Sequence, residues 1–275
     1  MPRFQSLDGA EIYYKRWGNG RPIILIHGWP LQADAWDEIG CQLVEHGFQV
    51  IAYDRRGFGR SDHEWAGYDY DTLTDDLSVL IRHLALKDFS LVGFSMGGGE
   101  AIRYSRRHGT DGLRSLVLIS AVTPCLSASD PDSVPAEKLI AMKESLARDR
   151  GAHYTKFFRD FFNVHLMNHP VSHEVLDWYH QMAMQASLRG ALECVDSFGF
   201  TDFQQDLAQA SVPVLLIHGE ADQIVPCSST AMRALKLLKD GRLITYPDAS
   251  HGICMTHREV VLRDLIDFLS TSQRQ

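Results

Sequence analysis

Six short apolar runs recur along the chain, at residues 22–26, 48–53, 89–94, 113–119, 212–217 and 242–246, with helix-type patterns in the intervals between them. Their apolar character is continuous rather than alternating. A strand of that kind is buried on both faces, which is the situation of parallel strands covered by helices. The expected class is therefore α/β, a mostly parallel twisted sheet flanked by helices. Leu73, Leu77, Leu80, Ile81 and Leu84 draw one helical stripe behind Thr72 and Asp75, which stand at capping-box spacing. Val261, Leu265, Phe268 and Leu269 draw another, and predict a C-terminal helix docked on the sheet.

The alternation breaks once. Strand-like sequence stops at Ile119 and resumes only at Val212. Ala121, Val122, Thr123 and Pro124 lead into a polar stretch ending at Val134 and Pro135, and then into helical patterns carrying Tyr154, Phe157, Phe158, Phe161, Phe162, Trp178 and Tyr179. Structureless connections longer than about 12 to 15 residues are uncommon, so the interval reads as a helical cap over the strand ends. The expected division is core at 1–123, cap at 124–208 and core again at 209–275. A length of 275 residues suits one large domain with an insertion, and 45% hydrophobic with 23% charged residues is ordinary for a soluble protein.

The strongest chemical signal is the pentapeptide Gly93, Phe94, Ser95, Met96, Gly97, set directly after a strand and directly before a helix. A sharp strand-to-helix turn would hold Ser95 in a strained conformation at the carboxyl edge of the sheet, with small neighbours avoiding a clash. A serine hydroxyl is a weak nucleophile. It needs a base, and the base needs a carboxylate to fix its tautomer. In chain order after Ser95, Asp222 follows the fifth apolar run and His251 follows the sixth, both in loops at the same sheet edge. Glu220 and Asp248 stand nearby as alternative acids, with Asp222 better placed. Acyl transfer also needs donors for the oxygen that turns negative. The backbone N–H groups of Met96 and of Trp29, in the loop after the first run, are assigned to that task, with the Trp29 indole as a pocket wall.

The stretches His27 to Pro30, Asp54 to Ser61, Gly93 to Gly98, Asp222 to Pro226 and His251 to Gly252 resemble the α/β-hydrolase superfamily. Within it the chain is similar to the cofactor-free bacterial haloperoxidases, also called perhydrolases, and to the aryl esterases, nearly end to end. That resemblance implies a Ser, Asp, His hydrolase of small aryl and alkyl esters, needing neither metal nor haem, that makes peracids when hydrogen peroxide accepts the acyl group. It also implies that Pro30, after the oxyanion tryptophan, is the perhydrolase version of that position, and that Val122 and Ile224 line the substrate pocket. Between Asn163 and Trp178 the family pattern is hard to follow, which leaves the acyl preference open. Lactonase, amidase and carbon–carbon bond hydrolase chemistry use the same triad, and a ligand sensor on an idle hydrolase fold is the reading from another class.

Other groups carry less. His165, His169 and His173 are spaced like a metal face, but Pro170 would end that helix before the third could align. No metal and no cofactor is expected. His218 reads as a core histidine with a satisfied ring nitrogen and His27 as a brace of the oxyanion loop through hydrogen bonds, neither as the base, and Arg103, Arg106 and Arg107 read as a solvated helix face. A net charge of −8 and a pI near 5.9 argue against nucleic acid. No stretch reaches the apolar length of a membrane helix, and the start has no apolar leader, so a cytoplasmic location is expected. The five cysteines form no CxxC pair and read as reduced core thiols. Self-association into a homo-oligomer is left open. A neutral histidine base implies that the rate falls in mild acid.

Overall fold

A computed structural model describes residues 1–128 and 131–271. Its sheet has eight strands: β1 (Arg3–Gln5), β2 (Glu11–Trp17), β3 (Arg21–Ile26), β4 (Phe48–Tyr53), β5 (Phe89–Phe94), β6 (Leu113–Ile119), β7 (Val214–Gly219) and β8 (Gly241–Tyr246). Their order across the sheet is β1-β2-β4-β3-β5-β6-β7-β8. The pairs β1–β2 and β2–β4 are antiparallel and every later pair is parallel. Strands β4, β5 and β7 are buried at every position, the burial that continuous apolar runs require. The run expected from residue 212 begins as a strand two residues later, at Val214, and extends to Gly219.

Helices α1 (Asp37–Glu45) and α11 (Arg258–Thr271) pack together, and α2 (Tyr70–His83), α3 (Met96–Arg107), α8 (Gln204–Ala208) and α9 (Ala231–Leu237) pack in series. The start of α2 differs from the capping box expected at Thr72 and Asp75. Asp69 is the N-cap, accepting from the Thr72 amide at 3.0 Å and the Thr72 hydroxyl at 2.9 Å. Asp75 instead accepts two bonds from Arg107, at 2.9 and 2.8 Å. The arginines of α3 are therefore less solvated than expected: Arg103 pairs with Asp71 at 3.0 Å and Asp206 at 3.1 Å and lies over the Phe203 ring.

Between β6 and β7 run α4 (Ala136–Arg148), α5 (Arg150–Phe161), α6 (His173–Met184), α7 (Leu188–Phe200) and then α8. Asp149, Ser172 and Ser187 cap α5, α6 and α7 by accepting from the amides of Ala152, Val175 and Gly190. The expected aromatic patterns pack among themselves, with Phe162 4.8 Å from Phe161 and 4.9 Å from Tyr179 between ring centroids. Residues 129 and 130, within the polar stretch, lie outside the described residues. Helix α5 already ends at Phe161, so His165 and His169 sit in the following loop and His173 opens α6. Among the described residues no group of three His, Cys, Asp or Glu is placed to hold a metal ion, and no helix is long and apolar enough to cross a membrane. The cysteines depart from the expectation of core thiols. Cys194 and Cys227 are buried, but Cys41 is exposed and Cys125 and Cys254 are intermediate.

Candidate active site

Ser95 occupies the junction of β5 and α3 with φ +55° and ψ −118°. A positive φ is unfavourable for a residue with a side chain and persists only where the surroundings impose it. Here they do: the Ser95 amide donates to the Ile119 carbonyl at 2.8 Å, and the turn leaves no room at either flanking glycine. A Cβ on Gly93 would overlap the carbonyl of Gly97, and one on Gly97 would overlap the carbonyl of Ile26. Both obstacles are backbone and cannot swing aside. Gly97→Ala is therefore expected to cost about 2 to 4 kcal/mol of stability, read from the urea midpoint. A midpoint equal to wild type would show that the turn is not tight.

Asp222 and His251 come from the loops after β7 and β8, and the structure brings both to Ser95. His251 Nε2 lies 3.0 Å from Ser95 Oγ, and His251 Nδ1 lies 2.6 Å from Asp222 Oδ2. Asp222 Oδ1 accepts the amides of Ile224 at 2.9 Å and Val225 at 2.8 Å. The alternative acids are elsewhere: Glu220 is exposed and accepts from the Thr245 hydroxyl at 2.6 Å, and Asp248 is exposed. Burial pushes the Asp222 carboxyl up, but His251, the bond from His218 and the contact with that second ring outweigh it, holding it well below the usual carboxylate range. His218, wholly buried on β7, donates from Nε2 to the Val225 carbonyl at 2.8 Å. His251 is packed edge-on against Phe161 and tilted against Phe94, each 5.0 Å away between centroids.

The Met96 amide opens α3 and the Trp29 amide lies in the loop after β3, and neither donates to another group among the described residues. The Trp29 ring reaches across to the segment between β6 and β7. Its Nε1–H donates to the Ala191 carbonyl at 3.0 Å, and Tyr154, Phe157 and Phe198 surround it. Ser95 and His251 open onto a cavity of about 410 Å³ whose wall includes Trp29, Val122, Ile224, Phe157 and Phe198. That is within the usual size of a small-molecule site, about 300 to 1,000 Å³.

The family model described as alpha/beta hydrolase fold matches residues 21–258. The chain belongs to the α/β-hydrolase family. This α/β hydrolase is 43% identical to a non-heme chloroperoxidase of Kitasatospora aureofaciens over 98% of its own length and all of that protein's. It is 36% identical to a bifunctional esterase/perhydrolase of Acinetobacter calcoaceticus, over 95% of its own length and 97% of the other. A solved bromoperoxidase of Bacillus anthracis is similar to it with a TM-score of 0.93 and 36% identity, over 98% of this chain and 100% of that one.

Part of the hydrolase cavity was not foreseen from the sequence. Helices α4 and α5 contribute Lys138, Met142, Ser145, His153 and Lys156 to its wall, and His153 Nδ1 lies 3.2 Å from Ser145 Oγ. These residues fall on helices whose periodicity marks an inner face but does not say what that face encloses.

Proposed function

We propose that this α/β hydrolase is a serine hydrolase of small carboxylic esters, with Ser95 as nucleophile, His251 as general base and acid, and Asp222 as the carboxylate that orients His251. The observation that carries the proposal is the continuous line of hydrogen bonds from Ser95 Oγ through both His251 nitrogens to Asp222, with Asp222 anchored by two amides. As Oγ attacks the ester carbonyl, Nε2 takes its proton, and the amides of Trp29 and Met96 receive the negative oxygen. The tetrahedral intermediate collapses, His251 gives the proton to the departing alkoxide, and an acyl-serine remains. Water attacks that acyl group while His251 takes a proton from it, and the acid leaves with Ser95 restored. With hydrogen peroxide in place of water the same step yields a peracid, in line with the names of the chloroperoxidase and esterase/perhydrolase relatives. No step calls for a metal or haem.

We take 124–208 as the cap that sets the acyl preference, because α4 and α5 supply cavity wall, with Val122 and Ile224 as further lining from the core. The test is a panel of aryl esters, alkyl esters and lactones, each with and without hydrogen peroxide. The expected result is ester turnover through an acyl adduct on the Ser95 peptide, seen by mass spectrometry after acid quenching, and peracid formation when peroxide is present. Lactone turnover far above any ester would move the substrate class to the lactones. Turnover without an acyl adduct would remove the nucleophile assignment.

A further inference from the structure

The two amides offered to the reacting oxygen sit on different elements, Trp29 on the loop after β3 and Met96 at the start of α3. Oxyanion donors act only if their directions are held before the charge forms. Behind these two lies a set of buried charged groups that proton transfer does not use. Arg55 is 1% exposed and Glu100 is wholly buried. Arg55 Nε and Nη2 each lie 2.8 Å from Glu100 Oε2, and the Tyr53 hydroxyl donates to the other carboxylate oxygen. The same Nη2 donates to the His27 carbonyl at 2.8 Å. Glu100 stands one turn beyond Met96 on α3, so the ion pair ties that helix to the loop that carries Trp29.

The His27 side chain extends the tie to the peptide that matters. The Arg55 amide donates to His27 Nε2 at 3.0 Å, which puts the ring proton on Nδ1. That Nδ1–H donates to the Gly28 carbonyl at 2.9 Å, and the Leu31 amide donates to the same oxygen at 3.0 Å. The Gly28 carbonyl and the Trp29 N–H belong to one planar peptide group and point in opposite directions. Two donors on the oxygen therefore fix where the N–H points. Burial, and then the Arg55 cation, hold the His27 pKa well below the usual histidine value, so Nε2 stays an acceptor. The Ser95–Met96 peptide is held similarly, its oxygen accepting from the Gly98 amide at 3.0 Å.

Resting on the oxyanion role proposed for the Trp29 amide, we propose that His27 is a positioning residue for the Gly28–Trp29 peptide, with the Arg55–Glu100 ion pair holding His27 in register with α3. Three variants test it: His27→Leu, His27→Asn, and the double variant Arg55→Met with Glu100→Leu. Each is measured for kcat and KM on an aryl ester, for affinity toward a boronic acid that forms a tetrahedral adduct on Ser95, and for its urea midpoint. Loss of an oxyanion donor costs about 10²- to 10³-fold in kcat. His27→Leu should approach the lower figure, about 10²-fold, with KM within about twofold and boronate affinity falling in step with kcat. His27→Asn, whose Nδ2–H stands where Nδ1–H stood, should recover at least about tenfold of that loss. The double variant removes both partners of a buried pair and leaves no lone charge, so it should fold and still lose about tenfold in kcat.

Wild-type kcat in His27→Leu, or a loss that His27→Asn does not recover, overturns the positioning role. If His27→Leu does not fold, an unchanged kcat in the double variant overturns the ion pair's part. The Ser95→Ala protein serves as control. Turnover surviving in that protein would defeat the nucleophile assignment, whereas its loss with unaffected His27 variants would defeat the positioning role alone.

Discussion

Ser95→Ala is expected to lower kcat for aryl-ester hydrolysis by about 10⁴- to 10⁶-fold while leaving the folded protein intact. The size follows from the loss of covalent catalysis: with no Oγ, the base has no proton to take and the ester must await direct attack by water. The residual rate, about 10³- to 10⁴-fold above the uncatalysed reaction in triad enzymes, would come from the oxyanion amides and binding alone. Stability should scarcely change. Alanine has the same backbone constraint as serine at φ +55°, and the amide bond to Ile119 is retained. Steady-state kinetics beside a thermal melt check both halves, and a variant that still turns over within tenfold of wild type would falsify the nucleophile assignment.

Asp222→Asn is the second large effect, about 10⁴-fold in kcat with the geometry almost unchanged. The side-chain oxygen can go on accepting from the Ile224 and Val225 amides, which leaves the NH₂ group facing His251 Nδ1. Two donors cannot share that contact, so the imidazole turns to the tautomer that has no free lone pair for the Ser95 proton. The carboxylate also has a stability signature. Its folded pKa lies below the ordinary value of about 3.9, so its contribution is complete above that pH and is lost as pH falls through the folded value. The gap in urea midpoint between wild type and Asp222→Asn should thus be widest near neutrality and shrink in strong acid. A gap that widens on acidification would reverse the sign.

The strands that lie in the middle of the sheet were legible because burial on both faces leaves a run of apolar residues without interruption, and β4, β5 and β6 begin and end where those runs do. β1 and β2 carry no such mark. They pair antiparallel at one edge, and Glu11, Lys15 and Arg16 interrupt the apolar character of β2 where it meets solvent. The placement of the candidate site was legible for a related reason: Ser95 in its strained turn, Asp222 and His251 each follow a strand end, and the strand ends share one edge. The interval between β6 and β7 was legible only as helices. Which residues of α4 and α5 meet the cavity depends on how those helices lie over the sheet, and Ser145 with His153 therefore escaped notice. Local chemistry also displaced two expectations. Asp69 offered α2 an earlier cap than Thr72, and the acids of α2 and α8 drew the α3 arginines into ion pairs.

Trp29 joins the loop after β3 to the helices between β6 and β7. Its main-chain amide is one of the two donors proposed for the reacting carbonyl, while its indole is fastened to Ala191 and wedged among rings of α5 and α7. Chimaeras that exchange the segment between β6 and β7 among relatives would therefore also rewrite the scaffold behind the proposed donor. Such an exchange is expected to carry a turnover penalty unless the aromatic nest and the receiving carbonyl travel with it.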